Sequence, residues 1–138
     1  MAYVMIVDDN EDLAAAGGFA LRGGGHEVVT QLDTAAALAE MQKRPPDLVV
    51  LDVMFPGNDF AGFELAREMN KCGSLSRIPI LMLTGVNQEL GMKVSTYDID
   101  NSWLPVTEFL NKPLDLKTLV SKVNAMLQSA GRKPNGTS

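Results

Sequence analysis

A chain of 138 residues, 46% apolar and 21% charged, is long enough to bury one sizeable core and too apolar to stay disordered. Its net charge of −5 offers no basic face to a nucleic-acid backbone, which sets nucleic acid aside as a partner. One cysteine, Cys72, excludes an internal disulfide, and neither a membrane-length apolar run nor a signal peptide before Tyr3 is seen, so a cytoplasmic protein with no membrane contact is expected.

Along the chain, apolar runs alternate with helical patterns. Strands are predicted at 3–7, 27–31, 48–52, 79–84 and 106–111, and helices at 11–22, 34–44, 61–72, 87–96 and 115–128. Most strand runs are continuous and rich in Val, Ile and Leu, as parallel strands covered on both faces require. Gly17-Gly18 interrupt the first helix at about 1 kcal/mol each relative to Ala and are read as permitting close packing. Gly23-Gly24-Gly25 read as a helix terminus and turn, since no Gly-Lys-Ser/Thr follows to make a phosphate loop. His26 is placed on the surface where the second strand begins. Asp33-Thr34 starts the second helix and Pro45-Pro46 stops it. Asp115 caps the last helix, along which Leu116, Leu119, Val120, Val123 and Leu127 share a face. The eight methionines are read as core filling. The domain is expected to span 1–128, with 129–138 a flexible tail whose Asn135-Gly136-Thr137 is a chance glycosylation pattern.

Five βα units in sequence predict an α/β fold. It is a doubly wound five-stranded parallel sheet, order 2-1-3-4-5, with five helices and right-handed crossovers. In such sheets the ligand site lies beyond the carboxyl ends of the strands where the order reverses, here between the first and third. Asp8 and Asp9 follow the first strand, Asp52 ends the third, Thr84 ends the fourth and Lys112 follows the fifth. Gathered carboxylates repel one another and stay ionised together only beside a cation or a donor. Three oxygen donors suit a hard divalent ion that keeps several waters, Mg²⁺ rather than zinc, for which no paired His or Cys ligands occur. One carboxylate can then serve as a nucleophile toward phosphorus, with Lys112 neutralising the incoming charge. The pattern is that of a phosphoryl-accepting switch.

Taken singly, each residue has an ordinary explanation. Asp9 or Asn10 can cap a helix, Asp52 can belong to a turn before Pro56-Gly57, Thr84 is a common strand residue and most lysines are solvated. Their joint occurrence at successive strand ends carries more. The blocks Val7-Asp8-Asp9-Asn10, Leu51-Asp52-Val53-Met54-Phe55-Pro56-Gly57, Leu83-Thr84-Gly85 and Phe109-Leu110-Asn111-Lys112-Pro113 resemble, in order, those of response regulator receiver domains. These are the flavodoxin-like, chemotaxis-regulator-like switches of two-component signalling. The resemblance covers residues 3 to 128.

That resemblance implies Asp52 as the phosphoacceptor and Asp9 as a direct Mg²⁺ ligand. Asp8 would act largely through water, and the backbone carbonyl of Met54 would complete the protein's share of the coordination. It implies that the Thr84 hydroxyl moves to bond the phosphoryl group while Phe109 supplies the partner aromatic. Lys112 would pair with the phosphate across a cis Lys112–Pro113 bond. A histidine kinase or histidine phosphotransfer protein would be the donor. The stand-alone receiver, a monomer or weak homodimer, would signal in trans to a downstream protein through its fourth helix, fifth strand and fifth helix. It would be a phosphoacceptor with self-catalysed phosphorylation and slow autodephosphorylation, not a multiple-turnover enzyme.

There are departures from the family pattern. Asp59 matches, but the glycine expected beside it arrives late, as Gly62 after Phe60-Ala61. The stretch from Thr84 to Lys112 is extended and carries Trp103 in the loop 97–105, either a plug over the fourth helix or an anchor for a partner. Two rival readings remain. A Mg²⁺-dependent phosphohydrolase would want a second Asp where Met54 stands, and methionine cannot transfer protons. A flavin module of similar topology would want a hydroxyl- and glycine-rich loop where Asp8-Asp9 would repel phosphate.

Overall fold

The computed structural model describes residues 2–52, 61–84, 107–111 and 115–132. Five strands, β1 (Tyr3–Val7), β2 (Glu27–Gln31), β3 (Leu48–Asp52), β4 (Ile80–Thr84) and β5 (Thr107–Asn111), form one sheet in the order β2-β1-β3-β4-β5. Every pairing is parallel, so the doubly wound topology is as the alternating pattern predicts. The described residues hold four helices, α1 (Glu11–Gly23), α2 (Thr34–Lys43), α3 (Ala61–Lys71) and α4 (Leu116–Arg132). The helix predicted at 87–96 lies outside them.

Continuous apolar runs give each central strand two buried faces, because successive side chains point to opposite sides. Met5, Val7, Val49, Leu51 and Met82 meet Met41 of α2 and Phe63 and Met69 of α3 on one side. Val4, Ile6, Val50, Leu81 and Leu83 meet Leu21 of α1 and Leu119 and Val123 of α4 on the other. Each large aliphatic side chain so buried contributes about 1.5–3 kcal/mol. Five of the methionines, Met5, Met41, Met69, Met82 and Met126, lie buried in these cores.

Helix ends follow local chemistry. Arg44 precedes Pro45 and is extended at φ −145°, which ends α2 at Lys43, one residue short of the predicted bound. α4 runs through Arg132, the last described residue, past the predicted 128. The glycines after α1 form a Schellman-type stop. Gly25 N–H donates to the Arg22 carbonyl at 3.0 Å and His26 N–H to the Leu21 carbonyl at 3.2 Å. Gly25 has φ of 95°, a backbone shape glycine adopts without penalty.

His26 is not a simple surface residue. Its Nδ1 accepts from the Ala2 N–H at 3.3 Å, which leaves the proton on Nε2 to donate to Asn124 Oδ1 at 2.7 Å. The imidazole thus links the start of β1 to α4. No helix among the described residues is long and apolar enough to cross a membrane.

Candidate metal centre

The β1–β3 register runs from Val4 beside Leu48 to Val7 beside Leu51, and one step further along it lie Asp8 and Asp52. Parallel pairing therefore sets the two carboxylates abreast at the switch point. The Asp8 N–H still donates to the Gln31 carbonyl at 3.0 Å, so β2 holds its backbone from the other side. Asp8 is 1% and Asp52 5% exposed; they are the buried charged residues among those described. Asp9, at the surface, adds a third carboxylate. One oxygen from each of the three lies within 4.8 Å of the others.

Asn10 closes this loop. Its side-chain Oδ1 accepts the Leu13 N–H at 3.1 Å, making Asn10, rather than Asp9, the cap of α1. Its own N–H donates to Asp8 Oδ1 at 2.9 Å. The carboxylates consequently sit before the positive end of α1, a favourable but partial compensation.

At such a spacing two unit charges repel by about 3–4 kcal/mol even at an effective dielectric near 20. A small hard dication relieves this more fully than hydrogen bonds can. All three donors are carboxylate oxygens, with no nitrogen or sulfur among them, which matches Mg²⁺ in ligand type. The residues present fit such an ion.

The remaining predicted residues divide into described and undescribed ones. Thr84 is the last residue of β4, whose Leu83 pairs with Asp52, so it ends the strand next to the one that carries Asp52. Phe109 pairs with Met82 and packs, half-buried, against the core on the α2–α3 side. Lys112 follows directly on β5. Lys112, Pro113, Met54, Asp59 and Trp103 lie outside the described residues. The late Gly62 is buried in the first turn of α3.

Two further residues contribute without having been assigned a role at the site. Asn10 ties α1 to Asp8, as above. Asp47 precedes β3 and clasps Tyr3: its N–H donates to the Tyr3 carbonyl at 2.7 Å, and its Oδ2 accepts the Tyr3 N–H at 2.8 Å. An aspartate before a strand reads as an ordinary turn residue, so only the Asn10 cap was open to sequence reasoning.

Residues 4–124 match the family described as Response regulator receiver domain. RegX3, a sensory transduction protein of Mycobacterium tuberculosis, is 30% identical over 131 residues, which is 95% of this chain and 53% of RegX3. The chain thus spans about half the length of that relative. PilH of Pseudomonas aeruginosa is 29% identical over 130 residues, covering 92% of this chain and 98% of PilH. Among solved structures, NtrX from Brucella abortus superimposes with a TM-score of 0.81 at 26% identity, over 99% of this chain and 29% of NtrX.

Proposed function

The chain belongs to the response regulator receiver domain family, and from that premise we propose that Asp52 accepts a phosphoryl group from a histidine kinase or histidine phosphotransfer protein. The observation that carries the reading is the convergence of Asp8, Asp9 and Asp52 within 4.8 Å at the ends of β1 and β3. Asp8, Asp9, Asp52 and the Met54 carbonyl would hold Mg²⁺, with Asp8 acting largely through water, and the ion would neutralise charge on the phosphoryl oxygens.

The chemistry is an in-line displacement. An Asp52 carboxylate oxygen forms a bond to phosphorus as the bond from phosphorus to the donor's imidazole nitrogen breaks, and the electron pair leaves with the imidazole. Such a transfer needs positioning and charge neutralisation more than covalent help. Burial of Asp52 strips competing water from the nucleophile. Lys112 pairs with the incoming phosphoryl oxygens, and the Thr84 hydroxyl bonds one of them. The half-buried Phe109, on the strand beside Thr84, is suited to register that movement. The output face comprises residues 87–96, β5 and α4, and the signal passes in trans to a downstream protein. The protein acts in the cytoplasm, as a monomer or weak homodimer, with residues 1–128 as its receiver domain.

Intact-mass analysis tests the assignment. With acetyl phosphate and Mg²⁺ the wild type should gain one phosphoryl group and Asp52→Asn none. Equal incorporation by both proteins would remove Asp52 from the role.

A further inference from the structure

We propose that Asn10 is a positioning residue of the metal centre, which couples the cap of α1 to the orientation of the Asp8 carboxylate. This deepens the proposed function and rests on its Mg²⁺-binding pocket. Asn10 has extended backbone, φ −83° and ψ 102°, and three of its polar groups are engaged. Its N–H donates to Asp8 Oδ1 at 2.9 Å, its Oδ1 accepts the Leu13 N–H at 3.1 Å and its carbonyl accepts the Ala14 N–H at 3.0 Å.

The first of these contacts uses an N–H that lies before the helix and is not claimed by it. The other two anchor Asn10 to the first turn of α1. Removing the side-chain oxygen releases Leu13 N–H and loosens a residue whose backbone braces Asp8 Oδ1. The Asp8 backbone is held separately, its own N–H donating to the Gln31 carbonyl at 3.0 Å. The carboxylate then loses this brace on its orientation within the cluster. Asn10 touches no reacting atom and acts through Asp8.

A bare capping role gives a different result, and α2 supplies the control. Asp33 Oδ2 accepts the Ala36 N–H at 2.9 Å, the same kind of cap outside the carboxylate cluster. Asn10→Ala and Asp33→Ala should both lower Tm. Only Asn10→Ala should weaken Mg²⁺ binding, by about threefold to tenfold, less than the loss of a whole outer-shell partner. Asn10→Ser should stay within about twofold of wild type, since Ser and Asn are equivalent caps.

Calorimetric titration of the unphosphorylated full chain with MgCl₂ reads this directly. Absence of binding in the wild type would overturn the metal reading itself. Wild-type binding matched by undiminished affinity in Asn10→Ala would overturn the positioning role alone. If Asn10→Ala does not fold, amide exchange in the wild type decides. Saturating Mg²⁺ should slow exchange at Asn10 and Leu13, and unchanged rates at both would overturn the coupling.

Discussion

Gly17 of α1 lies so close to Leu119 of α4 that a Cβ would come within 3.3 Å of Leu119 Cδ2 and 3.4 Å of Ile6 Cδ1. Its neighbour Gly18 differs, since a Cβ there would meet Arg22 Nη1 and Val28 Cγ1 at an ordinary 3.6 Å. Adjacent glycines should therefore respond with opposite signs. Gly18→Ala should stabilise by about 0.5–1 kcal/mol through helix propensity. Gly17→Val should destabilise by about 1–3 kcal/mol through overpacking. Urea unfolding of both variants checks this, and a Gly17→Val protein as stable as wild type would mean α1 can shift without cost.

The three carboxylates should not be equivalent toward Mg²⁺. Asp8 already accepts the Asn10 N–H and, on the proposed roles, would act mainly through water, so Asp8→Ala should weaken binding about tenfold, the low end for an outer-shell partner. Asp9→Ala, which on the same proposal would remove a direct ligand, should cost more. Mg²⁺ titrations that give the reverse order would exchange the two roles.

Thr84 and Phe109 should work as a pair with two discrete packings rather than a graded shift. A hydroxyl drawn toward the phosphoryl oxygens vacates space that an aromatic ring enters. Thr84→Ala should still accept phosphate yet show a much smaller conformational response. NMR shift changes around Phe109 that survive undiminished in this variant would break the link.

The lifetime of the phosphorylated state should depend on Met54 and Val86, two positions beyond Asp52 and Thr84. Neither side chain can orient a water or accept its proton. Losing such a polar contact costs about 1–3 kcal/mol in a barrier, roughly tenfold to a hundredfold in rate. The phosphoryl group should therefore be comparatively long-lived, and Met54→Asn or Val86→Glu should shorten its life. Decay after donor removal, at saturating Mg²⁺, is the measurement; lifetimes unchanged or lengthened in both variants would refute the idea.

Acid should weaken the start of α4. The Thr118 hydroxyl, donating to Asp115 Oδ2 at 2.7 Å, holds the Asp115 carboxyl below its ordinary range, with backbone donors and Lys117 adding to the effect. A carboxyl lowered in the folded state lends stability that is present above its unfolded pKa and is lost as pH falls through the folded one. Thr118→Val should thus be less stable than wild type at neutral pH, with the gap closing in acid. Denaturant unfolding across that range checks it, and a gap constant with pH would assign the effect elsewhere.

Strand order was legible because both faces of β1, β3 and β4 are buried, and burial on both faces leaves an unbroken apolar run in the chain. The carboxylates were legible for a related reason: charged residues ending such runs must lie at the sheet's carboxyl edge. Other features depend on contacts that no local pattern encodes. Asp9 and Asn10 are both good caps, and only the fold shows that Asn10 takes that role and leaves Asp9 to the cluster. His26 meets Asn124 across 98 residues of sequence, which no periodicity can signal. The end of α4 was placed early because small polar residues after 128 suggested fraying, whereas the helix continues through Arg132.

The clasp between Asp47 and Tyr3 has a bearing on the far end of the sheet. The two residues are 44 apart in sequence, the same offset that separates each β1–β3 partner from Val4 and Leu48 to Val7 and Leu51. That offset, carried along the strands, is also the one between Asp8 and Asp52. The clasp thus keeps the reading frame of β1 against β3. A slip of one residue would turn every side chain of a strand to its opposite face. It would also carry Asp8 out of step with Asp52 and dissolve the cluster without altering any of its members. Asp47 stands a strand's length from the carboxylates, yet the alignment of two of them is counted from it.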